Sequence, residues 1–215
     1  MKTITEEMLD ALREDVMKKM SIKRFRHTVA VESMTERLCA LFCPEQTLRM
    51  RAAALLHDLT KELDTDAQIA LCDRFGLDVS AFDRMAPKTF HARTAAALIA
   101  EQYPAFADPI VTDAVRWHTT GHADMTLTEK LVYLADYIDE SRTFQNCVIL
   151  RRYFWGADPE NMNTSQRETL LRDTLILSYD MTVRDLLDEG IPVAEDTVRA
   201  RNALMLERAN TNQTP

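Results

Sequence analysis

Glycine and proline are scarce in this 215-residue sequence, which contains four glycines and seven prolines. Both residues interrupt helices, and their scarcity beside abundant alanine, leucine, methionine, glutamate and arginine favours helix along most of the chain. No long alternation of apolar and polar residues indicates a sheet. The sequence therefore predicts an all-α fold. Its length suits one domain, or one domain with a small appendage, and is ample for a sizeable core.

Cysteine is also sparse, and the four cysteines show no C-x-x-C spacing. A disulfide-stabilised fold is not expected at this density, so we expect reduced thiols and a cytoplasmic protein. No apolar run approaches the roughly 18 residues of a membrane span, and the N-terminus lacks the apolar stretch of a signal peptide. We therefore expect no membrane partner.

The charge balance is mildly acidic, with 26 basic and 34 acidic residues and a net charge of −8. This balance argues against nucleic acid as a partner. It does not oppose a small anionic substrate that is reached through a metal ion.

Helix periodicity and end signals predict about eight helices. The helical segments are placed at Thr5–Lys19, Lys23–Phe42, Thr47–Leu63, Thr65–Phe75, Val79–Met85, His91–Gln102, Pro109–His118, Thr128–Ser141, Cys147–Phe154, Gln166–Glu189 and Ala194–Ala209. We expect a single domain over residues 1–210, with the C-terminal helices packed on it, and a frayed tail over residues 211–215.

The first chemical signal is an adjacent histidine and aspartate, His57 and Asp58, within the otherwise apolar segment Ala54–Lys61. Burial of such a pair costs free energy unless each group has a partner. Helix neighbours diverge by about 100°, so the two side chains can line one cleft but cannot chelate one ion side by side. Asp58 could bridge two metals while His57 binds one of them. The alternative is a buried polar pair that caps a neighbouring helix.

His27 and Asp136 extend this signal. His27 lies near the start of a predicted helix, and Asp136 interrupts the apolar segment Leu131–Ile138. Each has an ordinary alternative, a surface or satisfied core histidine for His27 and an ion pair for Asp136. Together, the order His, His-Asp, Asp resembles the HD superfamily of metal-dependent phosphohydrolases, which are all-helical. In such sites histidines and carboxylates surround a metal and leave positions open for water and phosphate.

Two further histidines could complete a second metal position that shares Asp58. His91 opens an alanine-rich helix and His118 closes another. Paired metals about 3.5–4 Å apart suit in-line displacement at phosphorus. A histidine at a helix C-terminus, such as His118, can alternatively compensate the helix dipole.

A narrower resemblance covers most of the chain, from about residue 20 to residue 205. The sequence resembles the YqeK-type HD-domain proteins, which are symmetrical diadenosine tetraphosphate hydrolases. The matching segments follow the family order and are Arg24–Val31, Ala53–Lys61, His91–Ala95, Trp117–Thr126, Tyr133–Arg142 and Ile191–Asn202.

The resemblance implies an HD-domain helical bundle with six metal ligands. They are His27, His57, Asp58, His91, His118 and Asp136. It implies two divalent or trivalent metal ions, with iron favoured, although this ligand set also suits manganese or zinc. The implied substrate is a dinucleoside polyphosphate, namely diadenosine tetraphosphate, which a metal-activated water cuts symmetrically into two nucleoside diphosphates.

Other predicted site residues are polar groups close to these ligands. Asp58 and Lys61 are the predicted catalytic residues, because the Lys61 ammonium could stabilise charge that develops on phosphate. Predicted phosphate-binding residues are Lys61, Lys88, Thr119, Thr120, Gly121 and Arg142. A solvated helix lysine and a helix C-terminal arginine are the alternatives for Lys61 and Arg142. His122 matches no ligand position, and a homodimer is compatible with the sequence.

Two other functions remain open from the sequence. One is an HD phosphohydrolase that acts on nucleoside monophosphates, nucleoside triphosphates or cyclic nucleotides. The other is a non-catalytic helical nucleotide-binding protein, against which the complete ligand set argues.

Overall fold

The computed structural model describes residues 3–211, and eleven α-helices occur within this range. They are α1 (Glu6–Lys19), α2 (Ile22–Phe42), α3 (Thr47–Leu56), α4 (Thr65–Arg74), α5 (Ala81–Met85), α6 (Phe90–Gln102), α7 (Pro109–Trp117), α8 (Leu127–Ile138), α9 (Gln145–Gly156), α10 (Thr164–Asp188) and α11 (Glu195–Thr211). No strand occurs among residues 3–211, so the all-α prediction is confirmed. All eleven predicted segments are present as helices, so the estimate of about eight helices was too low.

Helix starts follow the local sequence. Pro109 occupies the first position of α7, and the Asp108 carboxylate accepts a hydrogen bond from the amide of Ile110 at 2.9 Å. Thr126 and Glu129 form a capping box at the start of α8, as their spacing indicates. Such caps use amides that the helix itself leaves without partners.

Helix α3 lies at the centre of the fold. Residues 52–56 of this helix are all fully buried, and it packs against α1, α2, α7 and α8. Helices α9 and α10 continue the stack from α8, and α11 packs on α10. The C-terminal end of α3 therefore emerges into the interior, where a polar residue needs a partner.

The end of α3 corrects one prediction. The helix was expected to continue to Leu63, but it ends at Leu56 and residues 57–62 form turns. The His57 imidazole nitrogen Nδ1 lies 2.6 Å from the carbonyl oxygen of Ala54. That carbonyl is the one that the amide of Asp58 would use in a continued α-helix, so the side chain of His57 replaces a helical hydrogen bond.

The ends of α8 and α11 differ as well. Helix α8 stops at Ile138 rather than Ser141, because Asp139 adopts an extended backbone with φ −62° and ψ 155°. Thr211 was assigned to the frayed tail but belongs to α11, where its hydroxyl donates to the carbonyl of Glu207 at 2.9 Å. The rest of that predicted tail, residues 212–215, lies outside the described residues.

Two further features bear on the sequence predictions. The four cysteines, Cys39, Cys43, Cys72 and Cys147, are free and buried. Within residues 3–211, none of the helices combines the length and the apolar character that crossing a membrane requires.

Candidate metal centre

Asp58 lies at the centre of the predicted ligands, just beyond the end of α3. Its oxygen Oδ2 lies 3.3 Å from His57 Nε2 and 3.7 Å from His27 Nε2. Its other oxygen, Oδ1, lies 3.3 Å from His91 Nε2 and 3.9 Å from His118 Nε2. Each carboxylate oxygen therefore faces a different pair of imidazoles, which is the arrangement that a carboxylate bridging two ions requires.

Asp136, in the last turns of α8, joins the side that contains His27. Its oxygen Oδ1 lies 2.9 Å from His27 Nε2 and 3.8 Å from His57 Nε2. The predicted convergence of Asp58 and Asp136 on one cleft is confirmed, since both carboxylates lie within 3.7 Å of His27 Nε2. Two groups of potential ligand atoms are close enough to hold an ion: His27, His57 and Asp136, and His57, Asp58 and His118.

Three of the four histidines are oriented by the backbone of their own segment. The Nδ1 atoms of His57, His91 and His118 lie 2.6, 2.8 and 2.7 Å from carbonyl oxygens three residues earlier in the chain. A carbonyl can only accept, so Nδ1 carries the proton and donates it. The unprotonated Nε2 of each ring then points into the cluster, as a metal-ligating histidine requires.

His27 is oriented differently, by side chains at the end of α8. Its Nδ1 lies 3.2 Å from the Ser141 hydroxyl and 3.5 Å from the Asp139 carboxylate, which is fully buried. Sequence reasoning did not assign Asp139 a role in the site. The available signal was a second carboxylate three residues after Asp136, at the point where the apolar segment ends.

The protonation of the imidazoles follows these surroundings. Burial lowers the pKa of His118 to about 4, and burial beside the Lys61 ammonium puts the pKa of His91 well below its usual range. Burial also opposes the charge of His27, but hydrogen bonds to Asp136 and Asp139 raise its pKa to about 9. Burial opposes the negative charge of Asp58 too, yet the neighbouring His57 keeps the pKa of this carboxyl well below its usual range.

The donor set fits metal ions. His57 Nε2 is buried and has no hydrogen-bond partner in the protein, and His27 Nε2 faces the carboxylate oxygens of Asp58 and Asp136. A buried nitrogen without a partner is costly, whereas coordination to a metal would satisfy it. Four imidazoles and two carboxylates are suitable ligands for iron, manganese or zinc.

A cavity of about 410 Å³ opens beside this cluster, and we call it the site cavity. Asp136 lines it together with five of the predicted phosphate-binding residues, which are Lys61, Lys88, Thr119, Thr120 and Arg142. Its lining also includes apolar residues, among them Pro87, Leu186 and Ile191. A pocket with an apolar wall and a few convergent polar groups is typical of small-molecule sites.

Lys61 reaches the half of the cluster that contains His91. Its ammonium nitrogen lies 3.2 Å from His91 Nε2, and burial lowers its pKa, although the Asp58 carboxylate opposes this effect. Lys61 is therefore not a solvated surface lysine. Arg142 donates to the Asp136 carboxylate at 2.5 Å and to the Asp136 carbonyl at 2.9 Å, so it holds Asp136 in place.

Gly121 is the one predicted phosphate-binding residue that the lining of the site cavity does not include. Its amide already donates to the Trp117 carbonyl at 2.9 Å, so it has no free donor for phosphate. Its φ is +64°, and an added Cβ would lie 1.9 Å from the Tyr179 hydroxyl oxygen. The structure thus gives Gly121 a conformational role, ending α7 so that Thr119 and Thr120 face the cavity.

Two other residues, Arg24 and His122, contact carboxylates at or near the cluster. Arg24, to which the sequence assigns no site role, donates to Asp58 Oδ2 at 2.5 Å. His122 lies outside the cluster, and its Nε2 is 3.2 Å from the carboxylate of the capping residue Glu129. His122 therefore supports the start of α8 rather than the metal centre.

Comparisons with known proteins agree with this geometry. The HD domain family model matches residues 24–141. The symmetrical bis(5'-nucleosyl)-tetraphosphatase of Halalkalibacterium halodurans is 30% identical over 185 residues, which are 86% of this chain and 90% of that protein. The Bacillus subtilis protein of the same name is 28% identical over 190 residues, which are 88% of this chain and 94% of that protein.

A solved structure resembles the whole fold. The crystal structure of a predicted HD superfamily hydrolase involved in NAD metabolism from Clostridium acetobutylicum superposes with a TM-score of 0.78 at 28% identity. The match covers 92% of this chain and 97% of that one. The histidine and aspartate cluster thus lies within the segment that matches the family, and the chain belongs to the HD-domain family.

Proposed function

We propose that this protein is a metal-dependent hydrolase that cleaves dinucleoside polyphosphates, with diadenosine tetraphosphate as substrate, symmetrically into two nucleoside diphosphates. One observation carries the proposal: the two oxygens of Asp58 face two separate pairs of imidazoles, beside a cavity lined by lysine and arginine. The names of the two bacterial relatives above support the choice of substrate.

Two ions would be held on either side of Asp58. His27, His57 and Asp136 would hold one ion. His91 and His118, whose Nε2 atoms lie 3.0 Å apart, would hold the other, with the Asp58 carboxylate between the two ions. When bound, the ions would supply an activated water and would balance the negative charge of the phosphates. Iron is the proposed metal, and manganese and zinc are the alternatives.

The protein's own residues would position the polyphosphate and stabilise its charge. Lys61 lies next to the imidazoles and lines the site cavity, where its ammonium can donate to a phosphate oxygen whose charge increases during the reaction. Arg142 keeps Asp136 oriented, and Lys88 stands at the rim with an exposed side chain. Thr119 and Thr120 offer hydroxyl groups to the phosphates from the turn after α7.

The direct test is product analysis with the purified, metal-loaded protein. We expect diadenosine tetraphosphate to give ADP as the only nucleotide product on anion-exchange chromatography. ATP and AMP in equal amounts would contradict the symmetrical cut. Faster hydrolysis of nucleoside monophosphates, nucleoside triphosphates or cyclic nucleotides would instead favour another HD phosphohydrolase activity, and no hydrolysis at all would favour a nucleotide-binding protein.

Metal content needs a separate measurement on protein purified without added metal. We expect two ions per chain, with iron as the main element in an emission-spectrometric analysis. The single domain over residues 1–210, the cytoplasmic location and the homodimer remain predictions. Sedimentation of the full chain would test the last of these.

A further inference from the structure

A second cavity, of about 620 Å³, adjoins the site cavity between the start of α9 and the second half of α10. We call it the side cavity. Four residues line both cavities and form the boundary between them: Lys88, Tyr137, Arg142 and Thr182. Its described lining includes none of the six predicted metal ligands. It is therefore a separate space that a ligand could enter from the metal centre.

The boundary carries the charges that a polyphosphate needs. Tyr137 and Thr182 belong to this boundary, and their hydroxyl oxygens lie 3.1 Å apart. Lys88 and Arg142 add two cationic groups, each beside a carboxylate: Lys88 Nζ lies 3.9 Å from Glu189, and Arg142 lies 2.5 Å from Asp136. Cations on the line between two cavities favour a chain of phosphates that runs from one cavity into the other.

Phe144 lines the side cavity, and neither core packing nor helix capping accounts for an aromatic residue at this position. Its side chain is 70% exposed, so it adds little to the core. It occupies the N-cap position of α9, where it makes no capping hydrogen bond and where serine, threonine, aspartate or asparagine is favoured. An exposed aromatic ring at the edge of a cavity is a suitable surface for stacking a nucleobase.

Polar groups that line the same cavity as this ring could read the edge of a base. The Asn146 amide donates to the Asp185 carboxylate at 2.8 Å, and both residues line the side cavity. This bond leaves the Asn146 carbonyl and the remaining carboxylate lone pairs of Asp185 as acceptors. Purine amino groups are donors that such acceptors can bind.

We propose that the side cavity binds the second nucleoside of a dinucleoside polyphosphate, with its base stacked on Phe144. The inference rests on the proposed function. A symmetrical cut at the centre of a tetraphosphate produces two equal halves, so one nucleoside diphosphate lies in the site cavity and the other extends past Lys88 and Arg142. Each half has its own cavity, and both volumes fall within the range of small-molecule pockets.

The first test counts product sites on the metal-loaded enzyme by calorimetry with ADP. We expect two ADP molecules to bind each chain. In Phe144→Ala, the affinity of one site should fall about tenfold, as expected for the loss of one base–aromatic stack, while the other site keeps its affinity. Phe144→Tyr should restore the lost affinity, because tyrosine keeps the ring. Leu206→Ala is the matched control, since Leu206 is 66% exposed on α11 and should leave both sites unchanged.

The second test compares two substrates that share a tetraphosphate but differ in the number of nucleosides. We expect Phe144→Ala to lower the ratio of kcat/KM for diadenosine tetraphosphate to that for adenosine tetraphosphate by about tenfold. A wild-type enzyme that hydrolyses diadenosine tetraphosphate but binds a single ADP would overturn the inference and leave the proposed function intact. An unchanged ratio in Phe144→Ala would overturn it too. Absence of hydrolysis by the wild type would overturn the proposed function as well.

Discussion

The two sides of Asp58 hold their ligands in different ways. His91 and His118 are oriented by carbonyl groups of their own backbone, at 2.8 and 2.7 Å. His27, on the other side, is oriented by the side chains of Asp139 and Ser141. Both imidazoles of the first side are therefore held by backbone carbonyls. On the second side His57 is held in the same way, whereas His27 depends on side chains from the end of a different helix.

This difference has a practical consequence for experiments. A backbone carbonyl survives every side-chain substitution, so the His91 side can be disturbed only through its ligands or the surrounding fold. The support of His27 can be removed while His27 itself stays in place. Substitutions around the two sides should thus change metal binding unequally.

Asp58 is the residue that the two sides share, so its substitution should weaken metal binding on both sides equally. Asp58→Asn keeps the shape of the side chain but removes the charge that balances two ions. We expect loss of metal on both sides and loss of activity to the background rate. Elemental analysis and ADP release, measured on the same sample, check this. An Asp58→Asn protein with wild-type metal content and turnover would show that Asp58 does not bridge.

Lys61 lies on the His91 side but cannot ligate a metal while it is protonated. Lys61→Ala should leave metal content and melting temperature almost unchanged and should lower turnover by about 10²–10³-fold, the scale for loss of one charge-stabilising donor. Lys61→Arg should restore only part of the rate, because a planar guanidinium is not a compact ammonium.

The matched control for Lys61 is Lys18→Ala, which removes an exposed lysine from α1. Steady-state kinetics on diadenosine tetraphosphate should show no change for this control. Wild-type turnover in Lys61→Ala would remove Lys61 from the catalytic residues and leave phosphate stabilisation to the metals.

Asp139 tests the side-chain support of His27. Asp139→Asn keeps an oxygen that can accept from the Ser141 amide but removes the negative charge behind the imidazole. We expect affinity for one of the two ions to fall about 10–100-fold, as is usual for the hydrogen-bond partner of a metal-bound histidine. Titration against a metal chelator, with Asp66→Asn as an exposed control, measures this. Equal weakening of both ions would contradict the difference between the two sides.

The sequence predicted the ligands of both sides but not their supports. A histidine next to an aspartate in an apolar segment is visible by residue type, and so is a carboxylate such as Asp136 among apolar neighbours. The carbonyl partners of His57, His91 and His118 leave no trace in residue types, because every residue has a carbonyl group. Asp139 is visible, but its role depends on where α8 stops and turns back.

For the fold, the sequence likewise predicted the positions of the helices but not every helix end or tertiary contact. Scarce glycine and clear caps such as Thr126 located the helices, while the end of α3 escaped because His57 uses the Ala54 carbonyl for its own side chain. The side cavity also escaped, since it joins residues of α9 and α10 that are far apart in sequence. Tertiary proximity of this kind cannot be read from local pattern.

Substitution of Thr119 should have the smallest effect on metal binding, and it tests whether backbone carbonyls hold the imidazoles on the His91 side. Its hydroxyl oxygen lies 3.2 Å from both His91 Nε2 and His118 Nε2, in front of the ligand atoms rather than behind them. Thr119→Ala should leave metal affinity within about twofold, because backbone carbonyls still hold both rings. It should lower kcat/KM by at most about tenfold, the scale of one lost hydroxyl–phosphate hydrogen bond, and Thr119→Ser should restore the rate. Chelator titration of Thr119→Ala beside Asp139→Asn decides the matter. If Thr119→Ala lost metal as readily as Asp139→Asn, backbone support would not be what holds His91 and His118.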